Sequence, residues 1–178
     1  MHMKPVLEVI KSEMQPSMGC TEPVAIGLAV SRTCEYLQTP ATHLDMVISS
    51  NIFKNAYSVQ IPNTGTNGIE LSCALGFLLS KPGNIMEIFA EIIPEQVEAV
   101  KKLVEEGFVS VKVLPGSTFY IECYGRNDKE VVHTITENAH DHLVLLEKAG
   151  EVLFDGREFD TNFRGCSKYD GPCCRYVL

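Results

Sequence analysis

Hydrophobic residues change their spacing partway along the chain. Before Gly107 they recur every three or four positions, as in Val97, Val100 and Val104, which is the pattern of an amphipathic helix. After Gly107 they alternate with polar residues, as in the segment 109–113, which is the pattern of a β-strand. The first part of the chain is therefore predicted to be mainly helical, and the second part to be mainly β-strand.

Turn-forming residues divide these two patterns into elements. Pro16 and Gly107 end helical segments, whereas Pro94 opens one. Helices are predicted over residues 3–14, 23–37, 69–80 and 94–106. Strands are predicted over residues 44–48, 59–61, 109–113, 119–124, 131–135, 143–146 and 152–154, with a hairpin turn over 148–151.

The order of the elements predicts the fold class. Helices that come early and strands that come late are typical of an α+β domain, with the helices packed on one face of a mostly antiparallel sheet. Residues 1–155 are expected to form this single domain. Residues 156–178 are polar and are interrupted by Gly165, Gly171 and Pro172, so they are predicted to be an irregular tail or the start of a linker.

Composition narrows the class of protein. The chain has 178 residues, of which 45% are hydrophobic, and this is enough for one core. The net charge of −8 and the lack of a basic cluster argue against nucleic acid as a partner. No apolar run approaches the ~20 residues of a membrane helix, and no signal-peptide pattern is visible, so a cytoplasmic location without a membrane partner is expected. Seven irregularly spaced cysteines favour reduced thiols over a disulfide framework.

The segment 19–23, Gly-Cys-Thr-Glu-Pro, carries the first candidate chemistry. Thr21 is predicted to be the N-cap of the following helix, so that Cys20 lies at the positive end of the helix dipole, which favours a thiolate. The dipole contributes about 0.3–1 kcal/mol, which is less than one pKa unit, so a further cation is needed. Lys54 is the candidate cation, and Glu22 would oppose it. A capping sequence with an inert thiol is the alternative.

Two further polar segments are candidates for binding. Asn51, Lys54 and Asn55 follow a predicted strand, where loops often carry function. The loop 63–68 precedes a helix, so its backbone N–H groups are suited to hold an anion such as a carboxylate. A solvated surface charge and a simple turn are the respective alternatives.

Two histidines and the three cysteines of the tail are further candidate residues. His140 and His142 flank Asp141 just before a predicted strand, and a solvated turn is the alternative for them. The three cysteines of the tail do not have the spacing of a common zinc site. These are Cys166, Cys173 and Cys174. No metal ligand is therefore predicted in this chain.

Together these segments define a predicted site. The residues predicted to be catalytic are Cys20, Glu22 and Lys54. The residues predicted to bind the substrate are Thr21, Asn51, Asn55, Thr64, Gly65 and His140. A base, a cation and an anion-binding loop are the groups that proton abstraction beside a carboxylate requires.

Several motifs carry a family resemblance. Residues 15–23 with the following Ala-rich helix, and the motifs at 50–55, 61–65, 74–76 and 109–112, resemble the L-cysteine desulfidase family, relatives of the iron–sulfur L-serine dehydratases. The match over 140–147 is weaker. The resemblance implies a lyase that cleaves L-cysteine to pyruvate, ammonia and sulfide, or L-serine to pyruvate and ammonia, with a [4Fe–4S] cluster as cofactor. It leaves the choice between the two substrates open.

The chain also departs from that family. Members have a large helical C-terminal domain with cluster-binding cysteines, and nothing resembling it is found before Leu178. The resemblance therefore implies a truncated or split enzyme that is inactive alone, holds no cluster, and needs the missing domain or a partner chain. The alternative is a non-catalytic domain that binds a small molecule or a partner. A small amino-acid substrate and a homo-oligomer are further expectations.

Overall fold

The alternating segments after residue 108 and one earlier strand assemble into a single sheet in the computed structural model, which describes residues 20–79 and 87–157. The helices in these ranges are α1 (Thr21–Glu35), α2 (Ser50–Tyr57), α3 (Ile69–Leu78) and α4 (Pro94–Glu105). The strands are β1 (His43–Ser49), β2 (Val109–Leu114), β3 (Tyr120–Arg126), β4 (Val131–Glu137), β5 (Leu143–Lys148) and β6 (Glu151–Asp155).

The sheet has six strands in the order β2-β1-β3-β4-β5-β6. Strands β1 and β2 pair in parallel, and the other four pairings are antiparallel. The parallel pair requires a long crossover, which the three helices between these strands supply. The predicted α+β class with a mostly antiparallel sheet is confirmed.

The two faces of the sheet differ in chemistry because side chains alternate along each strand. On β3, Ile121 and Cys123 are buried on the face that α1 covers. There Thr33 of α1 and Thr134 of β4 share a hydrogen bond of 2.6 Å between their hydroxyl groups. The intervening residues of β3, such as Glu122, lie on the opposite, polar face.

Helices α1 and α3 pack closely and run in the same direction. A Cβ added to Gly76 would lie 2.2 Å from the carbonyl oxygen of Gly27. Further along both helices, the Ser31 hydroxyl donates a hydrogen bond of 2.9 Å to the carbonyl of Leu79. The second contact lies closer to the C-terminus than the first on both helices, so the two helices start at the same end of the domain.

Helix α2 was not predicted, because its eight residues were interpreted as a loop after β1. Ser49 caps the helix by accepting a hydrogen bond from the Ile52 N–H, and Ile52 and Ala56 are buried on one face. A helix this short is stable only through such tertiary contacts.

Other boundaries also differ from the predictions. The strand predicted at 59–61 is reduced to an isolated bridge between Gln60 and Asn67. The helix predicted over 3–14 and the tail beyond Arg157 lie outside the described residues. No helix in the described ranges has the length and hydropathy needed to cross a membrane.

Candidate functional site

Cys20 itself is the N-cap of α1. Its backbone is extended, with φ −70° and ψ 130°, and its side chain makes no cap hydrogen bond. Thr21 is already the first helical residue, so the prediction of Thr21 as N-cap is wrong by one position. Its hydroxyl instead donates a hydrogen bond of 3.2 Å to the carboxylate of Glu22.

Glu22 is the centre of the cluster at this helix start. Its Oε2 accepts a hydrogen bond of 3.1 Å from the Cys20 thiol. Its Oε1 accepts one of 3.1 Å from the side-chain amide of Asn55, which belongs to α2. Four of the predicted site residues, Cys20, Thr21, Glu22 and Asn55, are thus in contact, and Asn55 joins them from 33 positions along the chain.

These contacts set the protonation states of the two titratable groups. Burial, and then the hydrogen bond to Glu22 and its charge, raise the pKa of the Cys20 thiol above 9.0. Burial alone would raise the pKa of Glu22, but hydrogen bonds from Cys20, from its own N–H, from Asn55 and from Thr21 outweigh it and lower this pKa below 4.5. At neutral pH the pair is therefore a neutral thiol and a carboxylate, the reverse of the thiolate that the helix dipole alone favours.

Helix α2 also carries Asn51 and Lys54. Asn51 lies one turn before Asn55, so both are on the same side of the helix. Lys54 is exposed. None of the described hydrogen-bond partners of Glu22 is positively charged, so Lys54 does not neutralise it by direct contact.

The loop before α3 lies at the same end of the helix pair as Cys20. Cys20 precedes Gly27 by about 10 Å of helical rise, and Gly68 precedes Gly76 by about 12 Å. Val24 of α1 and Ile61, which lies two residues before the loop 63–68, also belong to one buried cluster. Gly68 is the N-cap of α3, and as a glycine it has no side chain to cap the helix. Two helix N-termini therefore lie at one end of the domain.

Thr64 and Gly65 form the turn of this loop. The Thr64 hydroxyl donates a hydrogen bond of 2.9 Å to the Ile61 carbonyl and accepts one of 3.2 Å from the Thr66 N–H. Gly65 has φ of 67°, a conformation that favours glycine. The contacts of Thr64 are thus internal to the loop, and they hold it in front of α3.

His140 lies in the β4–β5 loop, near the start of β3. Its ring contacts Phe119 edge-on at 4.9 Å between centroids. The carbonyl of the next residue, Asp141, accepts a hydrogen bond of 2.6 Å from the Arg32 guanidinium. Since β3 begins where β1 ends, this loop and α2 are at the same end of the sheet. The described contacts do not join His140 to Cys20.

A second polar cluster was missed by the sequence analysis. On the polar face of the sheet, Glu122 accepts hydrogen bonds from Tyr124 at 2.7 Å and Tyr120 at 2.9 Å, and it contacts His133 Nε2 at 2.9 Å. His133 Nδ1 lies 3.5 Å from the Glu147 carboxylate. The signal was present in the alternation Tyr-Ile-Glu-Cys-Tyr of β3, which places three polar side chains on one face.

In the described part of the chain, no three side chains among histidine, cysteine, aspartate and glutamate are grouped so as to hold a metal ion. The tail cysteines lie outside these residues.

Comparison with known proteins finds relatives that are named UPF0597 proteins. A UPF0597 protein of Porphyromonas gingivalis is 35% identical over 154 residues, which are 85% of this chain and 36% of the relative. UPF0597 proteins of Oleidesulfovibrio alaskensis and Clostridium perfringens are 33% and 32% identical over 83% and 84% of this chain. No family model matches the chain, and no solved structure matches it.

These relatives overturn the family resemblance drawn from the motifs. They are named UPF0597 proteins, not L-cysteine desulfidases or serine dehydratases, so the assignment of this chain as a truncated iron–sulfur lyase fragment is wrong. Short motifs such as Gly-Cys-Thr-Glu-Pro describe a local helix start and were too little to decide a family. Over most of its own length the chain is similar to UPF0597 proteins, and it spans about a third of the length of these relatives.

Proposed function

We propose that this domain binds a small zwitterion of the amino-acid class at the end where α1 and α3 begin. The observation that carries the proposal is the Glu22 carboxylate. It is partly buried and ionised, and its described partners, Cys20, Thr21 and Asn55, are all neutral. An anion with only neutral donors around it retains the capacity to attract a cation, and a ligand ammonium group supplies one.

The second half of the ligand is matched by the start of α3. The first N–H groups of any helix lack partners within the helix, and they form the positive end of its dipole. The N-cap of α3 is Gly68, which has no side chain to satisfy them. A ligand carboxylate is the group that such an end favours. Separate sites for the positive and negative ends of one ligand therefore support a zwitterion over a simple anion.

Cys20 has a defined part in this proposal. Because its pKa is raised, the thiol is protonated at neutral pH and acts as a hydrogen-bond donor to Glu22. It orients the carboxylate together with Asn55. The proposal therefore concerns binding, and it assigns no reaction to the thiol.

Calorimetric titration of the full chain tests the proposal. L-alanine is expected to bind, whereas L-lactate, which lacks the ammonium group, and L-alaninamide, which lacks the carboxylate, are expected to bind at least tenfold more weakly. Glu22→Gln should abolish the preference for L-alanine over L-lactate, because it removes the charge and keeps the size of the side chain.

The matched control is Glu35→Gln at the other end of α1, where the side chain is exposed. This variant should bind L-alanine as the wild type does. Equal binding of L-alanine by the wild type and by Glu22→Gln, or no binding of any of the three compounds at millimolar concentration, would contradict the proposal. Circular dichroism of each variant separates loss of binding from loss of folding.

A further inference from the structure

The cluster on the polar face of the sheet is distinct from the Glu22 site. Its charged side chains are largely buried. The His133 side chain is 12% exposed and that of Glu122 is 15% exposed, while that of Glu147 is 30% exposed. These residues belong to three neighbouring strands, β4, β3 and β5. Contacts between them therefore link the outer hairpin β5–β6 to the centre of the sheet.

The geometry of His133 depends on its protons. Its Nε2 lies 2.9 Å from Glu122 and its Nδ1 lies 3.5 Å from Glu147, so each ring nitrogen faces a carboxylate oxygen. A neutral imidazole has one N–H donor, whereas an imidazolium has two. Both contacts are hydrogen bonds only when the ring carries both protons, and loss of one proton places a lone pair against a carboxylate.

The neighbouring side chains hold the His133 ring in the same position in either of its protonation states. Tyr124 stacks on the imidazole with centroids 4.1 Å apart and planes 3° from parallel. The Arg126 guanidinium lies over the Tyr124 ring, 5.3 Å from its centroid. Arg126 also forms an ion pair with Asp45 of β1. Among the described residues, the charged and titratable groups on this face of the neighbouring strands include Tyr120, Glu122, Tyr124 and Arg126 of β3, Glu147 of β5, and Asp45 and His43 of β1, which pair with each other.

We propose that His133 is a pH-dependent clasp that fastens β5 to the sheet through Glu147 in its doubly protonated form and releases it when one proton is lost. The Glu122 contact is the shorter and less exposed of the two, so the remaining proton stays at Nε2. The bond that breaks is therefore the one to Glu147.

The sign of the effect follows from this geometry. The doubly protonated ring makes both hydrogen bonds and the singly protonated ring makes only one, so the β5–β6 hairpin is held more firmly at lower pH than at higher pH. The Glu147 contact is long and partly exposed, so the change in the opening equilibrium of the hairpin is expected to be about two- to fivefold.

Two measurements on the full chain test the clasp. The titration of His133 is followed by NMR of its ring, with the other histidines assigned by single His→Gln variants. Amide protection factors of β5 and β6 are measured over the same pH interval, with the intrinsic pH dependence of exchange removed. Protection of the hairpin is expected to fall about two- to fivefold as His133 loses its proton, while β1 and β3 keep theirs.

The variant Glu147→Gln is the decisive comparison. A glutamine amide can accept from a protonated Nδ1 or donate to an unprotonated one, so the link should persist and the pH dependence of protection should disappear. Glu151→Gln, which changes an exposed residue of β6, is the matched control and should retain the pH dependence. The same pH dependence in Glu147→Gln as in the wild type, or hairpin protection that does not follow the titration of His133, would overturn the proposal.

Discussion

Glu22 shows how a single side chain acquires its properties from its neighbours. The carboxylate accepts hydrogen bonds from a thiol, a hydroxyl and an amide, and these bonds lower its pKa against the opposing effect of burial. The same contact raises the pKa of the Cys20 thiol, because a thiolate would lose the bond and face the carboxylate charge. The two groups are therefore coupled, and a change in one is measurable in the other.

A substitution at Glu22 tests this coupling. Glu22→Gln is expected to lower the pKa of Cys20, because it removes the charge that opposes the thiolate while leaving the effect of burial in place. The measurement is the pH dependence of alkylation at Cys20, followed by mass spectrometry of its peptide because the chain contains other thiols. Glu35→Gln should leave the profile as it is in the wild type. An unchanged profile in Glu22→Gln would show that burial alone sets this pKa.

Two threonines of β4 form a matched pair for testing hydrogen bonding in the core. Thr134 is hydrogen-bonded to Thr33, whereas the Thr136 hydroxyl is buried and has no partner in the described structure. Thr136→Val should raise the free energy of unfolding by about 1 kcal/mol, because it removes an unsatisfied polar group and keeps the shape of the side chain. Thr134→Val should lower it by about 1 kcal/mol. Urea unfolding of both variants gives the comparison, and a loss of stability in Thr136→Val would indicate that its hydroxyl has a partner.

Helices α1 and α3 owe their close approach to two glycines. A side chain at Gly76 would meet the backbone of Gly27 at 2.2 Å, and one at Gly27 would meet the end of the Phe89 ring at 2.4 Å. This approach places the two helix starts at the same end of the domain. The candidate binding site therefore depends on a packing contact about 10 Å away from it.

Alanine substitutions at the two glycines should differ in cost. Gly76→Ala is expected to lower the free energy of unfolding by about 1–3 kcal/mol, because backbone atoms of α1 obstruct the new methyl group. Gly27→Ala should cost less, because an aromatic ring can shift where a backbone cannot. Denaturant unfolding followed by circular dichroism suits this chain, which has no tryptophan. A larger loss in Gly27→Ala than in Gly76→Ala would contradict the packing argument.

The sheet as a whole is held by its polar face as well as by its core. Burial would raise the pKa of Glu122, but hydrogen bonds from His133, Tyr124 and Tyr120 lower it below 4.5. A carboxylate with a lowered pKa contributes stability above its ordinary pKa, and this contribution is lost as the pH falls through the lower, folded-state value. The molecule should therefore lose this stabilisation only in acid.

Substitution of Glu122 tests this contribution. Glu122→Gln should lower the free energy of unfolding at pH 7 by about 1–3 kcal/mol, because the donors around it lose a charged acceptor. The difference from the wild type should shrink as the pH falls through the lowered, folded-state pKa of Glu122, because the wild-type carboxylate then also becomes neutral. Glu105→Gln, an exposed change on α4, should show neither effect. A difference that stays constant from pH 7 to pH 2 would mean that Glu122 acts by packing and not by charge.

Much of the fold was readable from local patterns. The helix predicted at 94–106 and the strands predicted at 109–113, 119–124 and 131–135 agree with α4, β2, β3 and β4 to within two residues. Long amphipathic segments are predictable because burial of one face imposes their period whatever the partner is. Helix α2 was missed because eight residues hold too weak a local preference, and its stability comes from Ile52 and Ala56 in the core.

The candidate site, like the fold, was predictable from the sequence only in part. The sequence by itself determined a helix start with a thiol and a carboxylate, Cys20 and Glu22, because these groups are two positions apart. It also determined that the loop 63–68 precedes a helix. Only the tertiary structure decided that Asn55 meets Glu22, that the thiol is protonated rather than ionised, and that His133 lies between two glutamates. Protonation and long-range contacts depend on burial and on the distances between elements, and these arise only when the helices pack on the sheet.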